Sequence, residues 1–262
     1  MRQLAFSSLL AAGLTAIGFT TPAFANEAHA LARYVISLGG INVAYMNVRL
    51  DVEGESYRLD LSADVTGLAQ VVSQGAGSVN SGGRVTSTGL ASSRFYLETR
   101  SQGERFSLET RYSGGNASDG IVSPPLAENP DRIPVTSSHR TGVNDPLAAF
   151  ILRGPALDSS LCNRRFDIFT GIERFDMALR YADSQEATST RTGYQGPVVL
   201  CTMRYIPISG HFTSSEITSY LADSTRMMTW YMPLDGSDFY IPYRVLMGTS
   251  FGDLSMVLVD ID

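Results

Sequence analysis

The chain has 262 residues and a formal charge of −6, with 44% apolar, 10% aromatic and only 18% charged residues, a balance that describes a globular chain with a core rather than a disordered one. Its acidity excludes a nucleic-acid surface, which requires a basic face. All 20 basic side chains are arginine, which excludes a Walker-A lysine, Schiff-base chemistry and a lysine general base.

Read in chain order, the first segment is an address. Met1-Arg2 is a short positive start, 4–19 is apolar, Thr21-Pro22 breaks it, and Ala23-Phe24-Ala25 has the A-x-A form that a signal peptidase reads. The expected organisation is a signal peptide over 1–25 and one β domain over 26–262, exported to the periplasm, with Ala28-His29-Ala30 as a second cleavage option and His29 in a loose N-terminus. No cysteine directly follows the apolar run, so a lipoprotein anchor is not expected. No later stretch reaches the ~18 apolar residues of a membrane-spanning helix.

The rest of the chain is dominated by short β-branched and aromatic segments between glycine-bearing turns. Alternation over 41–52, with Val43, Tyr45 and Met46 or Val48 on one face, meets Tyr57, Leu59, Leu61, Ala63 and Val65 across Glu53-Gly54-Glu55, a hairpin signal. A short helix is expected over 66–72. Strands over 77–81 and 84–87 flank Gly82-Gly83, and strands over 94–100 and 104–112 flank Ser101-Gln102-Gly103. The stretch 113–144, with Gly114-Gly115, Pro124-Pro125, Pro130 and Pro134, predicts a long surface connection. Asp145-Pro146 has the form of an N-cap and N1 proline opening a helix over 147–153. Strands follow over 164–169, 172–181 and 198–205, with a polar loop over 183–196. A helix capped by Thr213 or Ser214 is expected over 213–223, then strands over 227–232, 239–247 and 254–261.

Cys162 and Cys201 are the two cysteines. In an exported chain they most simply form one structural disulfide, contributing on the order of 4 kcal/mol through loop closure. A sheet of this kind must cover its apolar face. The expected fold is therefore mainly β: a curved, largely antiparallel sheet wrapped around one or two short helices.

Reactive constellations are thin. Gly248-Thr249-Ser250-Phe251-Gly252 matches G-x-S-x-G, but a strand-like stretch follows and no histidine lies beyond His211, so a glycine hairpin is the better reading than a nucleophile elbow. His29, His139 and His211 are scattered, without metal-ligand spacing. No cofactor is implied. Arg164, Arg174 and Arg204, with Arg165 and Arg180, form a candidate anion or headgroup patch, or ion pairs with Asp167, Glu173 and Asp176. Met228, Trp230, Met232, Phe239 and Tyr243 form a candidate apolar ligand surface, soft and adaptable in the way methionine-rich sites are, or part of an ordinary core.

Tyr34-Val35-Ile36-Ser37-Leu38-Gly39-Gly40-Ile41-Asn42-Val43-Ala44, Tyr57-Arg58-Leu59, Thr66-Gly67-Leu68, Gly89-Leu90, Asp145-Pro146-Leu147-Ala148-Ala149-Phe150, and Phe169-Thr170-Gly171-Ile172-Glu173-Arg174-Phe175-Asp176-Met177 follow one another along the chain. In this order they resemble the exported bacterial family DUF3108. Thr170 stands where the family tends to an acid, and Ile172 where it tends to a base. The resemblance implies no established activity or ligand. It implies a likeness to envelope proteins built as β-spirals or half-barrels, including lipoprotein carriers. The expected function is a non-enzymatic cell-envelope protein whose concave sheet face takes a lipid or lipidated partner. The alternatives are an envelope protein-interaction module, using a sheet edge or the 113–144 connection, and a hydrolase acting on a glycan or ester.

Overall fold

Period-two alternation through most of the chain resolves, in a computed structural model that describes residues 27–66 and 75–262, into one 15-stranded sheet with antiparallel pairing along its whole path. The first eight strands are β1 (Glu27–Leu38), β2 (Ile41–Glu53), β3 (Ser56–Val65), β4 (Gly75–Val85), β5 (Leu90–Ser101), β6 (Glu104–Ser113), β7 (Asn116–Ala117) and β8 (Ile121–Ser123). After a long connection come β9 (Leu152–Arg153), β10 (Arg165–Phe169), β11 (Arg174–Ala187) and β12 (Gly196–Ser209), then helix α1 (Glu216–Asp223), β13 (Met227–Pro233), β14 (Phe239–Thr249) and β15 (Gly252–Ile261). The path across the sheet is β10-β11-β12-β13-β14-β15-β1-β2-β3-β4-β5-β6-β7. Two meanders are thus joined where the last strand pairs with the first, from Ala32↔Ile261 to Leu38↔Leu254.

The sheet curls until its two ends nearly meet, giving a nearly closed barrel. Across the remaining seam the Tyr112 hydroxyl donates to Phe169 O at 2.5 Å, Thr110 Oγ1 donates to Thr170 O at 3.3 Å, and Gly120 N donates to Gly171 O at 3.2 Å. Residue 144 completes the closure, pairing in parallel with Ile168 of β10. Close approach here needs glycine. A Cβ on Gly171, whose φ is +108°, would lie 2.1 Å from Thr110 Oγ1.

Inward positions of β1, β2 and β3 carry Ala28, Ala30, Ala32, Tyr34, Met46, Leu50, Val52, Tyr57 and Leu59, all buried. The outer face of β5 and β6 is laced by Arg94–Glu109, Arg111–Glu109, Arg100–Glu98 and Arg105–Glu98 pairs. The disulfide forms between Cys162 and Cys201, with a Cα–Cα distance of 5.3 Å, and ties the 3-10 turn Ser159–Cys162 to β12.

Several local expectations are corrected. The helix over 147–153 is a single 3-10 turn, Ala148–Phe150, followed by β9. The carboxylate of Asp145 does accept from Leu147 N and Ala148 N, but the N-cap of the turn is Leu147, and the chain is drawn straight into pairing with β14. Gly82-Gly83 is not a turn: β4 runs through it with a register shift. Glycine is needed at 83 because a Cβ there would lie 2.1 Å from Ala91 O. β11 extends to Ala187, shortening the expected polar loop. Helix α1 is capped by Ser215, whose hydroxyl accepts from Thr218 N at 3.2 Å, rather than by Thr213 or Ser214. His29 is not in a loose terminus: it lies in β1 with Nδ1 3.0 Å from Asp51. The signal segment and residues 67–72 of the expected short helix lie outside the described residues.

Candidate functional site

The barrel holds a cavity because its first inward row is small. Ala30 and Ala32 of β1 face Leu50 and Val48 of β2 in register, and Tyr34 faces Met46. The alanines fill less volume than the branched residues around the rest of the wall, and a cavity of about 430 Å³ remains beside them. Its wall continues through Ile36, Leu61 of β3, Phe175 and Met177 of β11, Met203 of β12, Ile241, Val245 and Met247 of β14, and Leu254 and Met256 of β15. Nearly all of it is hydrocarbon or thioether. The phenol of Tyr34 is satisfied by donating to Pro242 O at 2.9 Å. The volume falls in the ~300–1,000 Å³ range of small-molecule sites, and the lining is more uniformly apolar than most.

One side of the wall comes from the connection between the meanders. Pro146, Leu147, Phe150 and Ile151 border the cavity, and they are held there by Asp145, which is fully buried. Its carboxylate accepts from Leu147 N at 2.7 Å and Ala148 N at 2.8 Å, from Ser81 Oγ at 2.6 Å, and from Ser92 Oγ. Burial pushes the Asp145 pKa up against the pull of these four donors. Asn144 adds a donor to Leu90 O at 2.7 Å. The segment is thus pinned to β4 and β5 from inside the barrel.

The structure distributes the residues singled out in the sequence. Met232, Phe239 and Tyr243 are buried in the core beside the cavity, while Met228 and Trp230 are half-buried. Trp230 donates from Nε1 to Gln185 at 2.8 Å and stacks under Arg244, and Tyr243 donates to Thr192 at 3.0 Å. None of the five borders the cavity; the β14 residues that do are Ile241, Pro242, Val245 and Met247. Arg164, Arg174 and Arg204 do not converge. Arg174 is buried and paired with Asp167 at 2.7 Å and with Asp176, which Arg165 also binds. Arg204 is exposed on β12. Ser250 sits in the turn between β14 and β15, where Thr249 pairs with Gly252. Among the described residues no three His, Cys, Asp or Glu side chains gather as a metal site, and no helix is long and apolar enough to cross a membrane.

The cavity wall itself was missed. Its clearest signal in the sequence is the pair Ala30 and Ala32 at inward positions of β1, of which Ala30 also belongs to the Ala28-His29-Ala30 cleavage motif.

Fold and site together define a barrel-like β protein with an apolar interior cavity. The chain belongs to the DUF3108 family, described as a protein of unknown function, whose profile matches residues 33–259. Among solved structures it is similar to a β-barrel-like protein of the domain of unknown function DUF1849 from Brucella abortus, with 14% identity, a TM-score of 0.50, and coverage of 90% of this chain and 97% of that one. At that identity the likeness concerns the fold alone. No match was found among curated proteins.

Proposed function

We propose that the protein is an exported, non-enzymatic component of the bacterial envelope that holds an apolar chain, the acyl chain of a lipid or of a lipidated partner, inside its barrel. The observation that carries this reading is the cavity of about 430 Å³ with its nearly continuous hydrocarbon wall. Each methylene moved from water into such a wall gains roughly 0.8 kcal/mol, so a chain of moderate length binds without any charged contact.

An exchange route is supported at one end of the barrel. Ile36, Met247 and Leu254 of the wall lie next to the β1–β2 and β14–β15 turns, which are joined by Gly39 N donating to Asp253 O at 3.0 Å. Those turns present Ile41 and Phe251, 56% and 75% exposed. Exposed apolar groups at the rim of an apolar cavity suit contact with a lipid surface or a lipidated donor.

The test is native mass spectrometry and lipid extraction of the protein purified from the periplasm. A co-purifying acyl-chain molecule at fixed stoichiometry is the expected result. A chain-free protein that also takes up no lipid from vesicles would end this reading.

A further inference from the structure

A second cavity, about 750 Å³ and more polar, is bordered by Ala148, Ala149 and Ile151 of the pinned segment, and Ile151 borders both cavities. Its charged lining is Arg164, Arg165 and Asp167. Two of these belong to a balanced network: Asp167 and Asp176 are matched by Arg174 and Arg165. Arg164 is different. Its guanidinium donates from Nη2 to Arg153 O at 2.8 Å and from Nη1 to Thr88 O, and among the described residues it has no carboxylate partner. It is half-buried.

A partly desolvated cation held by two main-chain carbonyls keeps its charge uncompensated. A guanidinium has five N–H donors in a planar fork, and two suffice for the carbonyls. The two carbonyls fix the plane of the fork, so the remaining donors are pre-oriented for an oxyanion. The disulfide at Cys162 anchors the turn that leads into Asn163 and Arg164. Thr88, Ser160 and Asn163 supply hydroxyl and amide groups around the rest of the cleft. The cleft is far larger than a bare ion, and its polar groups suit a hydroxylated body.

We infer that this cleft binds the phosphate ester of a small polyol, with Arg164 as the residue that takes the oxyanion. The site is independent of the apolar cavity and does not rest on the proposed chain binding. Such an ester has two sources, a free metabolite and a phospholipid headgroup, and the experiment separates them.

Isothermal titration calorimetry of the whole protein with glycerol 3-phosphate and with lauroyl lysophosphatidate tests the inference. Saturable binding of either probe that weakens at least about tenfold in Arg164→Gln, and not in Arg33→Gln on the far β1 surface, is the expected result. Dependence on Arg164 with glycerol 3-phosphate assigns a free ester; dependence with the lysophosphatidate alone assigns a headgroup. Lysophosphatidate binding that is unchanged in Arg164→Gln would leave chain binding intact and overturn the inference, as would the absence of binding by either probe. Should Arg164→Gln fail to fold, amide exchange of the unaltered protein decides. Probe-dependent protection in 86–92 and 160–167 is expected, and unchanged exchange there would overturn the assignment.

Discussion

Asp145 concentrates the energetics of the interior on one side chain. Its carboxylate is fully buried, and burial is the largest influence on its pKa, which is raised. A group whose folded-state pKa lies above its unfolded value contributes stability that is fully present below the unfolded pKa, near 3.9 for Asp. That contribution is lost as pH rises through the folded value. Asp145→Asn, which keeps an acceptor for Leu147 N and Ala148 N, is therefore expected to flatten the pH dependence of stability above pH ~4. Urea denaturation at a series of pH values checks this; an unchanged slope would show that Asp145 is not titrating against burial. Asp145→Ala removes the acceptor of Leu147 N and Ala148 N and one partner each of Ser81 and Ser92, and is expected to cost about 2 kcal/mol or more at neutral pH. Ala32 gives the opposite kind of test. Its Cβ borders the cavity, so Ala32→Leu is expected to raise stability by ~0.5–2 kcal/mol by filling space. A loss of ~1–3 kcal/mol, the signature of overpacking, would mean that the wall is already in contact there.

At the scale of elements, the seam holds the barrel shut, and the disulfide ties the turn before β10 to β12. Gly171 lies at the seam with φ +108°, and a Cβ would meet Thr110 Oγ1 at 2.1 Å. Gly171→Ala is expected to cost about 2 kcal/mol or more, measured by chemical denaturation. Reducing the Cys162–Cys201 bond, with a sequence separation of 39, is expected to cost about 4 kcal/mol in the chain-entropy model. A reduced protein of unchanged stability would contradict the assigned role of the turn it anchors. Most strands were legible because one buried face imposes period two, as in the inward odd positions of 57–63. The bond was legible from the presence of two cysteines in a chain whose first segment reads as an export signal. The helix over 147–153 misled because Asp145-Pro146 has the form of a cap, yet pairing of Leu152 and Arg153 with β14 outweighs local propensity. Gly82-Gly83 misled because glycine serves close approach as well as turns, and sequence does not distinguish the two. The cavity was not legible because large apolar residues mark burial, whereas space is marked by small residues facing each other across a register that only folding sets.

For the whole molecule, the closure of one sheet on itself removes long open edges and leaves a hollow where the alanine row and the pinned segment fail to fill it. Two of the segments that carry the family resemblance, 145–150 and 169–177, fall on this hollow and on the seam: Pro146, Leu147 and Phe150 with Phe175 and Met177 border the cavity, while Phe169 and Gly171 close the seam. Family likeness and physical role thus coincide in the parts that shape the interior. The most direct measurement of chain binding is a calorimetric series with n-alkanols, whose neutral heads make no demand on Arg164. Affinity is expected to rise about fourfold per methylene, the equivalent of ~0.8 kcal/mol, up to a limiting length, and Ala32→Leu is expected to shorten that limit. Affinities that ignore chain length, or a limit that Ala32→Leu leaves in place, would contradict an acyl chain seated in the barrel.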